Sequence, residues 1–233
     1  MSSPVMSDQT RAATFGTGGA EPYAKALLAA DSRVLYLEEL RDDESLTSSS
    51  MDFARWNGAA DRVDVALLGS VRGPVLDVGC GPARMVRAAL AMGLEVLGLD
   101  VSPTAVELGL AAGLPMYEGS VFQPLPGEGL WHTVLLVDGN VGIGGDVARL
   151  LSRCAELMSL DGELMVELNS DSHRDHTYTG RLVDIHGAYS ESFPWAEVGL
   201  AGITRRTADA GLTLRQAWTA GGRRFCRLTK TLK

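Results

Sequence analysis

Cysteine and lysine are both scarce in this chain of 233 residues, at three copies each. Cys80, Cys154 and Cys226 are too few and too scattered for a disulfide framework. No pair of them has metal-ligand spacing, so no metal site is expected. Reduced thiols fit a cytoplasmic setting. Lys25, Lys230 and Lys233 are the only lysines, which leaves arginine to carry the positive charge. With the abundant alanine and glycine, that usage points to a GC-rich bacterial genome. Positive charge is also short overall, the formal net charge being −8. A general grip on nucleic-acid phosphates needs a basic face, so nucleic acid is not an expected partner. The basic run Arg223-Arg224 with Arg227 and the terminal lysines reads as a solvated strand end. No apolar stretch reaches the length of a membrane span. Met1 to Arg11 is polar, without the apolar core of a secretory signal, and reads as a tail. No internal repeat is found.

What is present is ordinary globular material, 45% hydrophobic and 21% charged. The length suits one full α/β domain plus a short appendage. Before residue 60 the periodicity is weak. Tyr23 to Leu28 reads as a helical turn or two, and Arg33 to Leu40 as a short strand or helix. Asp42 to Ser50 is acidic and then serine-rich, and reads as an exposed loop. Asp52 to Leu68 reads as one amphipathic helix weakened at Gly58. Residues 1–59 are therefore expected to be a tail and a cap or lid segment, and 60–233 the main domain.

From Pro74 the pattern becomes regular. Strands are expected at Val75–Val78, Leu94–Leu99, Pro115–Glu118, Thr133–Val137 and Gly162–Leu168. Helices are expected at Pro82–Met92, with Pro82 at its first position, at Pro103–Ala112 capped by Ser102, and at Asp146–Leu160 capped by Asp146. The last carries a stripe of Val147, Leu150, Leu151, Cys154, Leu157 and Met158. Asn169 to Trp195 has no regular pattern. A helix at Val198–Ala210 and two strands, Thr213–Thr219 and Arg224–Thr229, joined at Gly221-Gly222, complete the chain. Strands alternating with helices give an α/β fold, a doubly wound, mostly parallel seven-stranded sheet with a C-terminal antiparallel hairpin.

The chemistry concentrates at Asp77–Arg84 (DVGCGPAR), where a strand enters a turn with two glycines and then a helix. Such a turn lets a ligand approach the backbone, and the helix start points bare N–H groups at it. Asp100 ends the next strand, where an acid would hold ribose hydroxyls. A dinucleotide site needs a third glycine where Arg84 stands, and its pyrophosphate would be repelled by Asp77. A ligand with an ammonium group would use that acid.

These residues resemble the class I (Rossmann-like) S-adenosylmethionine-dependent methyltransferases of small bacterial type. The resemblance runs from about residue 60 to the end. It rests on Val75–Pro82 (VLDVGCGP), Leu97–Ser102 (LGLDVS), Val134–Gly139 (VLLVDG) and Leu160–Val166 (LDGELMV). It implies that Asp77, Gly79, Cys80 and Gly81 cradle the methionine part of S-adenosyl-L-methionine. Asp100 would bind the ribose and Val101 would pack on the adenine. Where relatives often carry an acid for the adenine amine, this chain has Ser120, followed by the backbone of Val121. Asp138 would line the site near the methionine group or the acceptor; it also suits a turn before Gly139. Cys80 suits a small filler, and Cys154 the core.

Loops at the strand ends choose the substrate. Asn169 to Trp195 holds three of the four histidines; His132 precedes the fourth strand and faces the other end. His176, and after it His173, are the candidate bases, though loop histidines are commonly just solvated. The glycine-rich run Asp138–Asp146 suits either a close approach to an acceptor or a flexible connector, and Trp56 suits either a lid or the core. The expected function is methyl transfer to a small-molecule acceptor, at oxygen or nitrogen. The rivals are a non-catalytic S-adenosylmethionine-binding sensor or partner subunit and, disfavoured by Arg84, an NAD-linked oxidoreductase.

Overall fold

The computed structural model describes residues 13–29, 34–41, 46–51 and 53–231. The tail expected at Met1 to Arg11 lies outside them. Short apolar runs become the centre of the main sheet: β3 (Val75–Val78), β4 (Val96–Asp100), β5 (Met116–Glu118), β6 (Trp131–Leu136) and β7 (Met158–Leu168). The hairpin of β10 (Leu212–Ala220) and β11 (Arg223–Lys230) completes it, in the order β10-β11-β7-β6-β3-β4-β5. These first five strands are parallel; β11 runs antiparallel to them beside β7, and β10, antiparallel to β11, returns to their direction at the edge. This is the expected doubly wound sheet.

Alternation along each strand divides the core. Leu76, Val134, Leu136, Leu164 and Val166 face α6 (Val147–Leu157) and α7 (Leu200–Thr207). Val75, Leu135, Met165 and Phe225 face α3 (Arg62–Leu68), α4 (Arg84–Ala91) and α5 (Pro103–Ala111). The α6 stripe of Val147, Leu150, Leu151, Cys154 and Leu157 is buried, and Asp146 caps the helix through the Arg149 N–H at 3.0 Å. Each buried leucine there contributes about 1.5–3 kcal/mol. From β3 the chain winds outward to β4 and β5, then returns to β6 on the other side of β3. The ends of β3 and β6 therefore flank the switch point, where open α/β sheets bind ligands.

Several expectations are corrected. Residues 46–50 are not loop: β1 (Leu35–Leu40) and β2 (Leu46–Met51) are paired strands. Asn169 to Trp195 is not irregular either, because it holds β8 (Asp175–Asp184) and leads into β9 (Phe193–Val198). These four strands form a second antiparallel sheet, ordered β2-β1-β8-β9. The helix expected at 52–68 is two, α2 (Phe53–Asn57) and α3, split because Asp61 caps α3. Its carboxylate accepts from the Val63 and Asp64 N–H groups, and Asp64 returns a bond to the Asp61 N–H. Helix α4 starts at Arg84, not Pro82, behind a left-handed Ala83 (φ 65°).

The second sheet forms a cap with α1 (Pro22–Ala29) and α2. Cross-strand pairs Tyr178–Trp195 and Gly180–Phe193 put one face of it on Tyr23, Phe53 and Ala105, the last from the start of α5. On its other face, Ala196 and Val198 join the core of the main sheet. Among the described residues, no helix is long and apolar enough to cross a membrane.

Candidate functional site

The glycine turn uses up its own amides. The Gly79 and Cys80 N–H groups donate to the Leu99 carbonyl at 2.8 and 3.0 Å, and the Gly81 N–H donates to Asp100 Oδ2 at 2.7 Å. The N–H groups of the turn itself are therefore engaged. Gly79 has φ 71°, which holds the turn tight. Asn140, unremarked in the sequence, locks it from above: its Nδ2 donates to the Val78 and Gly79 carbonyls at 2.8 and 2.9 Å. Asp100 Oδ1 accepts from the Ser102 N–H at 2.8 Å. Burial pushes the Asp100 carboxyl above its usual range, and these backbone donors pull it back.

Asp77, at the end of β3, is sealed at 1% exposure, and its Oδ1 has no hydrogen-bond partner. Burial first, then the charges of Asp138 and Asp100, push its carboxyl up to about 8. An unsatisfied buried carboxyl is costly, and a ligand cation would relieve it. Cys80 lies against Gly98 of β4: a Cβ built there would stand 2.8 Å from Cys80 Sγ. Burial pushes its thiol well up, as befits a filler in place of a nucleophile.

Tyr23 is the residue that sequence reasoning missed most plainly. A Cβ built on Gly81 would stand 3.0 Å from the Tyr23 hydroxyl. Burial, then Asp100 and Cys80, push that phenol well above its usual range. Helix α1 thus covers the turn with a buried hydroxyl, a contact between segments far apart in the chain.

Arg84 does not crowd the strand as its length suggests. It is 3% exposed and turns sideways into a charge cluster. It pairs with Asp64 and Asp138, and Arg55 reaches Asp138 at 3.0 Å. Arg223 pairs with Asp64 at 2.7 Å and grips Glu167 with two nitrogens, at 2.7 and 2.6 Å. Glu167 accepts the Asp138 N–H at 2.8 Å. Asp138 has φ 58°, so this network holds the left-handed start of the loop after β6. Arg223, read as solvated, is 12% exposed at its side chain and is one of the cluster's anchors.

At the adenine end, Val101 follows Asp100 and is half-buried. Ser120 Oγ accepts the Phe122 N–H at 3.3 Å, shaping its own turn. Val121 is 3% exposed with its side chain in the core, and its carbonyl accepts from Arg153 Nε at 2.9 Å.

The two candidate bases part company. His173 is exposed in the turn before β8. His176 is on the inner cap face, opposite Glu197, stacked on Tyr178 with centroids 5.1 Å apart and 3.1 Å from Glu39 Oε1. Arg41 first, and then His176, hold Glu39 below the usual carboxylate range. Tyr178 leads to Trp195, which presses on the loop after β6. A Cβ on Gly142 would stand 2.1 Å from the Ala196 carbonyl oxygen, so only glycine allows this approach. A groove of about 190 Å³ between α3 and the β10–β11 hairpin shares no residue with the turn.

Compared with models of known families, the sequence matches none. Its fold matches solved structures. One is a SAM-dependent methyltransferase from Bacteroides fragilis in complex with S-adenosyl-L-homocysteine, with TM-score 0.76 and 16% identity. That match covers 96% of this chain and 100% of the other, too large a share to omit the cap. The CcbJ methyltransferase from Streptomyces caelestis matches at TM-score 0.56 and 16% identity, over 73% of this chain and 88% of that one. The 1,6-didemethyltoxoflavin-N1-methyltransferase of Burkholderia thailandensis, with bound 1,6-didemethyltoxoflavin and S-adenosylhomocysteine, matches at TM-score 0.54 and 17% identity, over 73% of this chain and 77% of that one. The chain has the class I S-adenosylmethionine-dependent methyltransferase fold.

Proposed function

We propose that this chain is an enzyme that transfers a methyl group from S-adenosyl-L-methionine to oxygen or nitrogen of a small-molecule acceptor. The observation that carries this reading is the pairing of a buried, unpartnered Asp77 with a glycine turn whose amides are already bonded. A pyrophosphate needs free N–H donors and no neighbouring carboxylate. This turn offers the reverse, a carboxyl able to receive an ammonium. Asp77 would take the α-amine, the Gly79–Gly81 backbone would lie along the methionine part, and Asp100 would accept from the ribose hydroxyls. Val101, Ser120 and Val121 would border the adenine, and Asp138 would frame the methionine end. The cofactor supplies a methyl already activated by its sulfonium leaving group. What remains for the chain is to align the acceptor, exclude water and, for an acceptor that is protonated at neutral pH, remove a proton. His176 would do the last, oriented by Glu39. The acid balance of the chain favours a small molecule over nucleic acid.

Calorimetry with S-adenosylhomocysteine and with NAD tests the reading. Binding of the first without the second is expected; NAD binding alone would return the chain to the oxidoreductases. With an acceptor in hand, His176→Gln should lower kcat by about a hundredfold while leaving cofactor affinity within twofold. An unchanged kcat would remove His176 as the base.

A further inference from the structure

Resting on the methyltransferase reading, we infer that the acceptor carries a flat aromatic ring, and that Phe15 of this chain sits in its place. Four aromatic rings surround Phe15. Tyr23 and Trp56 meet it edge-on at centroid distances of 5.5 and 6.4 Å, and Phe193 and Trp195 meet it tilted at 5.1 and 5.2 Å. These are the spacings at which rings attract each other's edges and faces. The cage borders the cofactor turn on two sides. Tyr23 abuts Gly81, and Trp195 abuts Gly142 in the loop that Asn140 ties to Gly79. A ring held between Tyr23 and Trp195 therefore lies beside the methionine end.

Phe15 differs from the other rings in how it is held. Phe53 and Phe193 are 1% exposed and rooted in a helix and a strand. Phe15 and Trp56 are only half-buried, so the cage opens on their side. Phe15 precedes α1 and belongs to no helix or strand. Its backbone lies in a turn that the Thr17 N–H closes on the Thr14 carbonyl at 3.1 Å. The segment is clamped further on, where the Ala20 N–H donates to the Tyr189 carbonyl at 2.9 Å and the Glu191 N–H donates to the Thr17 carbonyl at 3.1 Å, so that only the side chain of Phe15 is free to swing. The ring can leave the cage while that clamp stays closed. A ring entering from solvent would exchange one set of stacking contacts for an equal set. A saturated molecule of the same size would lose them. Beyond Trp195 on the same sheet face come Tyr178 and then His176, the polar end toward which a ring hydroxyl or amine would point.

The test uses the full chain loaded with S-adenosylhomocysteine, titrated with 2-naphthol and with its saturated counterpart decahydro-2-naphthol, by calorimetry. The aromatic probe is expected to bind at least tenfold more tightly. Trp195→Leu should weaken it at least tenfold while S-adenosylhomocysteine affinity stays within twofold. Phe15→Ala should tighten it severalfold, because no side chain then competes. If Trp195→Leu does not fold, the half-buried Trp56→Leu serves the same purpose. Equal binding of the two probes, binding of neither, or weaker binding in Phe15→Ala would overturn the inference. Failure of S-adenosylhomocysteine itself to bind would instead sink the methyltransferase reading.

Discussion

Asp64 and Asp77 are both sealed carboxylates, at 0% and 1% exposure, and the chain surrounds them in opposite ways. Asp64 has both oxygens engaged: Oδ2 by Arg84 and the Asp61 N–H, Oδ1 by Arg223 and Arg55. Asp77 lacks a partner at Oδ1, and its carboxyl is pushed up to about 8. Between them stands Asp138, paired with Arg84 and Arg55 and close enough to raise Asp77. Arg55, Arg84 and Arg223 pair with Asp64 and Asp138, and no arginine pairs with Asp77 among the described residues. A buried acid with partners ties helices to strands. A buried acid without them keeps its acceptor capacity for something that binds.

The sharpest way to break this contrast is Asp64→Ala. It leaves Arg84 and Arg223 without their buried partner and removes half of the α3 capping box. A loss of about 3–5 kcal/mol in urea unfolding is expected. A loss below 1 kcal/mol would mean that the cluster is not structural. Asp77→Asn should act with the opposite sign. S-adenosylhomocysteine affinity should fall by about 1.5–3 kcal/mol, read by calorimetry, while the ligand-free protein becomes more stable. The native Asp77 carboxyl keeps its proton up to about pH 8, whereas the unfolded one loses it near pH 4. Between those values the native state binds more protons, so this group makes stability fall as pH rises, and the effect levels off above about 8. The stability advantage of Asp77→Asn should therefore grow from pH 5 to pH 8; an advantage constant across that range would show that Asp77 ionises normally. The smallest effect belongs to Ser102→Ala. Ser102 Oγ accepts the Ala105 N–H at 3.3 Å, and its loss should cost about 1 kcal/mol of stability. Cofactor affinity should be untouched, since the Ser102 N–H that supports Asp100 remains.

The parallel sheet and the glycine turn were legible because their signals are local. An apolar run, two glycines and a helix cap lie within ten residues of one another. The cap sheet was not, for a definable reason. Strand β8 alternates, but its inward residues are His176, Tyr178, Gly180 and Leu182, so the alternation is only partly apolar. Strand β2 (LTSSSM) shows no apolar period at all. The break between α2 and α3 did leave a trace, the Asp61–Asp64 spacing of a capping box written with aspartate where glutamate is usual. Tyr23, Asn140 and Arg223 owe their places to partners far along the chain, and no window around them reveals that. The third-glycine argument at Arg84 pointed away from a dinucleotide, but the buried pairing of that side chain needed the fold to be seen.

The cap sheet joins strands that are made at very different times. During synthesis β1 and β2 emerge before any strand of the main sheet, while β8, to which β1 is paired from Leu35 opposite Asp184 to Glu39 opposite Gly180, emerges only after β7. Pairings so distant along the chain form late. The cap therefore closes on a parallel floor that is already in place, and pulse-labelled amide exchange during refolding should find β3, β4 and β6 protected before β1. The part of the protein that would choose the acceptor is then the last to be assembled.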